Sequence, residues 1–74
     1  MQFYDYKGCT IYPTPRLMVG TGLWKIELML RCNSVTEKCS DEKVFNTKAE
    51  AVFYCISYGK RLIDDGVVFL NIAV

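Results

Sequence analysis

The segment GLWKIELMLRC, residues 22 to 32, carries the strongest structural signal in the chain, because apolar and polar side chains alternate along it. One face would carry Trp24, Ile26, Leu28, Leu30 and Cys32. The other would carry Lys25, Glu27, Met29 and Arg31. A period of two predicts a β-strand, and the contrast between its faces is typical of an antiparallel sheet covered on one side.

The residues that follow this strand predict a hairpin. Asn33 and Ser34 are expected to form a tight turn, although the favoured Asn-Gly pair is missing and the turn type stays open. Residues 35–40, VTEKCS, then form a second strand paired with the first. Asp41 and Glu42 are expected in a solvated loop that leads into a helix.

A further strand precedes the tryptophan segment. CTIYP, residues 9–13, is a short β-branched and aromatic run that is expected to lie at a sheet edge or to end at Pro13, since proline cannot donate to a ladder. Residues 3–6 are a candidate extension of it, with Gly8 as a bulge or a turn. Residues 14–22 are expected to form a long loop.

The segment NTKAEAVFYCISYGKRLIDDG, residues 46–66, predicts one helix. Thr47 and Glu50 form a capping box at its start, in which each side chain accepts from a backbone N–H of the other residue. Gly66 is a suitable residue just beyond its end. Asp64 and Asp65 oppose the helix dipole there.

The predicted state of these acids is a solvated helix end with weak i,i+4 pairs, Lys60 with Asp64 and Arg61 with Asp65. The alternative is a contact with a basic residue elsewhere in the chain, such as Arg16 or Lys25.

The helix has an apolar half and a polar half. At 100° per residue the apolar half gathers Ala51, Val52, Cys55, Ile56, Gly59, Leu62 and Ile63. Gly59 lies in its middle, which predicts close backbone contact with the sheet, for example beneath Trp24. The polar half carries two large aromatic residues, Phe53 and Tyr54.

Composition limits the class of protein. The chain has 74 residues, enough for one small domain, and nine basic against eight acidic residues give a net charge of +1. Such a charge projects no strong field toward nucleic acid or anionic membranes. With no histidine and no G-x-S-x-G motif, the chain is not expected to be an enzyme, and no cofactor or metal is expected.

The four cysteines are Cys9, Cys32, Cys39 and Cys55, and no two are spaced as C-x-x-C. The chain opens MQFYDYKG, without a basic segment followed by an apolar run, which predicts a cytoplasmic protein. Reduced cysteines that pack as small hydrophobes are therefore expected, with a metal site or a thiol switch as the alternatives.

Nucleic-acid binding is an alternative function. Three antiparallel strands followed by a helix resemble the second half of a double-stranded-RNA-binding domain, in which lysines at the start of the last helix contact phosphates. The matching candidates here are Lys43, Lys48, Lys60 and Arg61. Glu50 interrupts the basic cluster and the first helix of that family is missing.

Separated motifs also resemble a second family. YKGCTIYPTPRL, the strand tryptophan and AVFYCISYGKRLIDDG are similar to a family of small bacterial proteins of unknown function, across residues 6–66. Cys9 departs from that pattern, where an aromatic residue is expected. The resemblance implies a bacterial, cytoplasmic protein with a sheet and a helix, and implies no activity, cofactor or catalytic residue.

Together these features predict one α+β domain over residues 1–74, in which three antiparallel strands pack against one C-terminal helix in the order βββα. Residues 67–74, VVFLNIAV, are an apolar tail or a fourth strand. The expected function is a non-catalytic protein-interaction module with an unknown protein partner or as a homodimer. The candidate contact residues are Phe53, Tyr54, Phe69 and Leu70, since clustered exposed aromatic residues mark interfaces.

Overall fold

The computed structural model describes residues 3–66. Its elements are β1 (Tyr4–Tyr6), β2 (Cys9–Pro13), β3 (Arg16–Met18), β4 (Leu23–Cys32), β5 (Val35–Phe45) and α1 (Lys48–Asp64). The five strands form one antiparallel sheet, and α1 packs against it. The α+β class with one C-terminal helix is therefore confirmed. The predicted tail or strand at 67–74 lies outside the described residues.

Strand β4 is the centre of the sheet. Strand β5 pairs along one of its edges, while β2 and β3 share the other edge. The pairings of β2 and β3 with β4 follow one continuous register, and the backbone N–H of Thr14 donates to the Glu27 carbonyl between them at 2.8 Å. The two strands are thus one strand interrupted at Pro15, because proline has no backbone N–H to donate to the neighbouring strand. The predicted loop over 14–22 is wrong where β3 occupies it.

Two tight turns shape the hairpins. The backbone of Lys7 and Gly8 has φ of 49° and 81°, and that of Asn33 and Ser34 has φ of 49° and 72°. Two successive positive φ values are the signature of a type I′ turn, whose twist matches that of the flanking strands. The predicted turn after β4 is confirmed. At the other turn the chain reverses, so β1 is a separate strand paired with β2 rather than its extension.

Strand β5 is longer than predicted. It continues beyond residues 35–40, so the expected loop at Asp41 and Glu42 is wrong. Asp41 and Val44 face consecutive residues of β4, which leaves Glu42 and Lys43 as the extra residues of a bulge. The outer edge of β5 is unpaired in the described sheet, and the charged residues of the strand discourage unwanted pairing there.

The ends of α1 match their sequence signals. The Thr47 hydroxyl accepts from the Glu50 N–H at 3.2 Å and donates to Glu50 Oε1 at 2.9 Å. The capping box is therefore present, but the Glu50 carboxylate binds the hydroxyl rather than the backbone N–H. At the other end, Gly66 has φ of 73° and its N–H donates to the Ile63 carbonyl at 3.1 Å.

The core lies between α1 and the sheet. Its buried members are Cys9, Ile11, Ile26, Leu28, Leu30, Cys32, Ala51, Cys55 and Ile63. Of the residues predicted on the apolar faces of β4 and α1, Trp24, Val52, Ile56 and Leu62 are only half-buried. Gly59 does contact the sheet closely, but against Ile11 rather than Trp24: a Cβ at this position would lie 2.9 Å from Ile11 Cγ2.

Cys9 and Cys32 face each other across β2 and β4 and form a disulfide. The expectation of reduced cysteines is therefore wrong for this pair, while Cys39 and Cys55 are free thiols. The sequence offers no signal for the bond, because its partners are 23 residues apart and meet only when the sheet register is set.

Candidate interaction surface

Phe53 projects from α1 between two hollows. Its side chain is 74% exposed. The larger hollow, about 760 Å³, is lined by Pro13, Pro15, Lys48, Ala49, Val52, Phe53 and Ile56. The smaller, about 400 Å³, is lined by Phe45, Ala49, Glu50, Phe53 and Tyr54. These residues together are called the Phe53 surface.

The larger hollow is lined by prolines at the interruption between β2 and β3 and by apolar residues of α1. Pro13 ends β2 and Pro15 precedes β3. Val52 and Ile56 of the helix are left half-buried beside them. The prolines are visible in the sequence, but their position beside the helix depends on the register of the whole strand, so the sequence did not predict that they line this hollow.

Tyr54 is half-buried rather than exposed as its helical position suggested. Its ring lies 5.2 Å from that of Phe45 and 6.0 Å from that of Tyr58, measured between centroids. Its hydroxyl donates to Asp41 Oδ2 at 2.5 Å. Tyr54 therefore joins α1 to β5, and Phe53 alone of the two aromatic residues is presented to solvent. Phe69 and Leu70 lie outside the described residues.

The Tyr54 hydrogen bond also sets the local electrostatics. Donation from Tyr54 lowers the pKa of Asp41, and the same bond raises the pKa of the tyrosine. Lys43 and Arg61 lower the pKa of Asp41 further through their charges. The carboxylate is thus held ionised as an acceptor and acts as a structural contact between sheet and helix.

The four basic residues predicted to bind nucleic acid do not form one patch. Lysine Nζ atoms lie near aromatic ring centroids: Lys43 at 5.4 Å from Tyr54, Lys48 at 5.9 Å from Trp24 and Lys60 at 4.4 Å from Tyr4. Lys43 and Arg61 share the neighbourhood of Asp41. Lys48 and Lys60 are separated by about 18 Å along the helix, at 1.5 Å per residue.

Asp64 is fixed at the end of α1 by the turn between β1 and β2. It accepts from Lys7 Nζ at 2.7 Å and from the Tyr6 hydroxyl at 2.9 and 3.0 Å. These contacts lower the pKa of Asp64, mainly through the bond with Lys7. The alternative prediction, that an acid at this helix end contacts a basic residue elsewhere in the chain, is therefore confirmed for Asp64. The basic residue is Lys7, and not Arg16 or Lys25.

The two free thiols are poorly suited to chemistry. Burial raises the pKa of Cys55 to about 11, and its thiol lies 3.4 Å from the Glu27 carbonyl, to which it donates. Burial, with a contribution from Glu37, also raises the pKa of Cys39. Within residues 3–66, no three histidine, cysteine or acidic side chains are grouped as metal ligands.

The sheet surface opposite α1 is called the open face. It carries the outward-facing residues of the strands, including the predicted set Lys25, Glu27, Met29 and Arg31. Their outward orientation is confirmed, because the alternate residues of β4 from Ile26 to Cys32 are buried against the helix. Across the described part of the chain, this face is covered by no second layer.

Comparisons of the chain with protein-family models, curated proteins and solved structures found no match. The resemblance to a family of small bacterial proteins therefore stays a prediction.

Proposed function

We propose that this chain is a non-catalytic protein-interaction module that associates with a second copy of itself through the Phe53 surface. The observation that carries the proposal is the 74% exposure of Phe53 between two hollows lined mainly by apolar residues. A large aromatic side chain held in water by a rigid helix loses contact with solvent when a partner covers it, which favours association.

A second copy fits because this surface is complementary to itself. A two-fold interface presents the same patch on both subunits, so it needs a projection and a recess on one patch. Phe53 is the projection, and the hollows beside it are the recesses. Lys48 lines one hollow and Glu50 the other. If the two-fold axis lies in the interface, parallel to α1 and beside Phe53, it exchanges the two sides of the helix. The hollow with Lys48 on one copy then faces the hollow with Glu50 on the other, so opposite charges meet.

The absence of histidine from the whole sequence supports the non-catalytic part of the proposal, since no side chain is an ordinary general base near neutral pH. In residues 3–66 no helix is long and apolar enough to cross a membrane. The cytoplasmic location stays a prediction, and the Cys9–Cys32 bond argues against it, because oxidising compartments favour disulfides.

Sedimentation velocity of the full chain, from about 1 μM to about 1 mM, tests the proposal across the usual range of affinities. We expect a concentration-dependent dimer, with a dissociation constant raised about 30-fold by Phe53→Gln, as for a hot-spot residue. Phe3→Gln is the matched control, because Phe3 is 59% exposed and contacts Tyr12 of the open face.

A monomer at the highest concentration would refute self-association. So would a dimer that Phe53→Gln leaves unchanged. Phe69→Gln and Leu70→Gln in the same assay establish whether these two predicted contact residues belong to the interface. A monomer in which Phe53 is nevertheless shielded, as judged by fluorine NMR of a labelled phenylalanine, would show that another segment of the chain covers the surface.

A further inference from the structure

The open face presents a cluster of cations and aromatic rings across neighbouring strands. In one row, Met29 of β4 lies opposite Lys38 of β5 and opposite Tyr12 of β2. In the next row, Arg31 lies opposite Thr36 and Thr10. Side chains directly opposite each other in an antiparallel pair share one face and lie about 5 Å apart. Lys38, Arg31 and Tyr12 therefore surround Met29 on one exposed surface.

The charge of this face is not balanced. Lys25, Arg31 and Lys38 form no ion pair within residues 3–66. The paired rows of the face also carry two carboxylates: Glu27 lies 3.6 Å from Arg16, whereas Asp5 accepts from the neutral Thr10 hydroxyl at 3.0 Å and keeps its negative charge. The four cations of these rows (Arg16, Lys25, Arg31 and Lys38) against two carboxylates leave a net charge of +2, which favours an anionic partner even though the whole chain is almost neutral.

Aromatic surface borders these cations. The rings of Phe3 and Tyr12 lie 6.0 Å apart between centroids, at 39° to each other, and Phe3 is 59% exposed. Met29 is 36% exposed beside them. Aromatic rings next to unpaired cations on a rigid sheet are the combination that holds single-stranded nucleic acid, where bases stack on rings and phosphates contact cations.

We propose that the open face binds single-stranded nucleic acid, with a base stacked against Tyr12 and phosphates contacted by Lys38, Arg31 and Lys25. An uncovered sheet face favours single strands, because their bases are free to turn onto its rings, whereas the bases of a duplex stay within the stack. The site lies on the opposite side of the sheet from α1. It is therefore independent of the Phe53 surface, and both can be occupied together.

Fluorescence anisotropy with a labelled oligothymidine of about 12 nucleotides tests this, because platforms of this kind cover about 4–16 nucleotides. A poly-uridine of equal length and a duplex serve as comparisons. We expect saturable binding at low salt. The logarithm of affinity should fall with the logarithm of salt concentration with a slope of about −2, since each of three phosphate contacts contributes about −0.7.

Two variants separate charge from stacking. Arg31→Ala combined with Lys38→Ala should reduce that slope to about −0.7, because one contact remains. Tyr12→Ala should weaken binding by about 5- to 150-fold and leave the slope unchanged, since stacking is not a salt-dependent contact. The matched controls are Lys43→Ala and Lys60→Ala, two lysines that lie beside aromatic rings away from this cluster. Circular dichroism confirms that each variant is folded.

No anisotropy change at low salt would overturn the proposal. Equal losses for Lys43→Ala and Lys60→Ala would place any binding elsewhere. If Tyr12→Ala keeps full affinity and heparin competes as well as unlabelled oligothymidine does, the surface attracts any polyanion and makes no specific contact with a base. Tighter binding of the duplex would exclude a single-strand platform.

Discussion

Gly59 lies where α1 approaches Ile11 of β2, and the closeness of this contact predicts how the fold responds to one added methyl group. A Cβ at residue 59 would lie 2.9 Å from Ile11 Cγ2 and 3.1 Å from both Cγ1 and Cδ1. Ile11 is fully buried, so its side chain cannot withdraw into solvent. Overpacking of this kind costs about 1–3 kcal/mol, and alanine regains about 1 kcal/mol of helix propensity. Gly59→Ala should therefore lower the free energy of unfolding by about 1 kcal/mol.

The sign of this effect should reverse when the contacting atoms are removed. Ile11→Ala deletes all three, so Gly59→Ala in that background should raise the free energy of unfolding by about 1 kcal/mol through helix propensity. The coupling between the two sites is then about 2 kcal/mol. Ile11→Val is the matched control, because valine retains both γ carbons and Gly59→Ala should stay destabilising beside it.

Urea unfolding followed by the fluorescence of Trp24, the one tryptophan of the chain, measures these differences. Ile11→Ala alone costs about 2–5 kcal/mol, so its background is best measured with sulfate, which strengthens apolar burial. Stabilisation by Gly59→Ala in the wild-type protein would refute the reasoning. An identical effect in the wild-type and Ile11→Ala backgrounds would refute it as well.

Three further outcomes follow from contacts elsewhere in the fold. Replacing both Cys9 and Cys32 with alanine should lower the free energy of unfolding by about 3 kcal/mol, because the disulfide closes a loop of more than 20 residues. Thermal melts of the wild-type protein with and without reductant check this, and equal melting temperatures would contradict it. Cys55 should react slowly with a thiol reagent at pH 8 until the chain unfolds, because burial raises its pKa to about 11. Rapid labelling of Cys55 in the folded protein would contradict this prediction. Tyr54→Phe should cost about 1 kcal/mol at neutral pH, where Asp41 is ionised and accepts the hydrogen bond. The difference from wild type should shrink as the pH falls through the lowered pKa of Asp41, below its ordinary value of 3.8, because the carboxylate is then protonated. A difference independent of pH in urea melts would contradict this.

Local patterns predicted the elements whose signals lie within a few residues. Alternation along residues 22–32 identified β4, and the capping box at Thr47 identified the start of α1. The short strand β3 and the second half of β5 were missed. Strand β3 has only three residues, and the second half of β5 carries charges on an edge that is unpaired among residues 3–66. Neither segment therefore shows the apolar alternation that identifies a strand from sequence.

The candidate surfaces were predicted only in part. The exposure of Phe53 was predicted, because a helical wheel places it away from the apolar half, while its role as a contact residue stays a prediction. Tyr54 was wrongly predicted to be exposed. A helical wheel does not show that β5 extends past Asp41, whose carboxylate accepts from the Tyr54 hydroxyl. The cluster around Met29 was not foreseen, since Tyr12 and Lys38 meet it only through pairing across strands.

By itself the sequence determined the period of β4 and α1, the cap at Thr47 and the turn at Asn33 and Ser34, because these depend on residues within one turn or one strand. The tertiary structure decided which distant residues meet: Cys9 with Cys32, Ile11 with Gly59, and Asp64 with Lys7. The physical reason is that strand register and helix placement are set by the summed packing of the whole core. A contact between positions more than 20 residues apart therefore has no local signal.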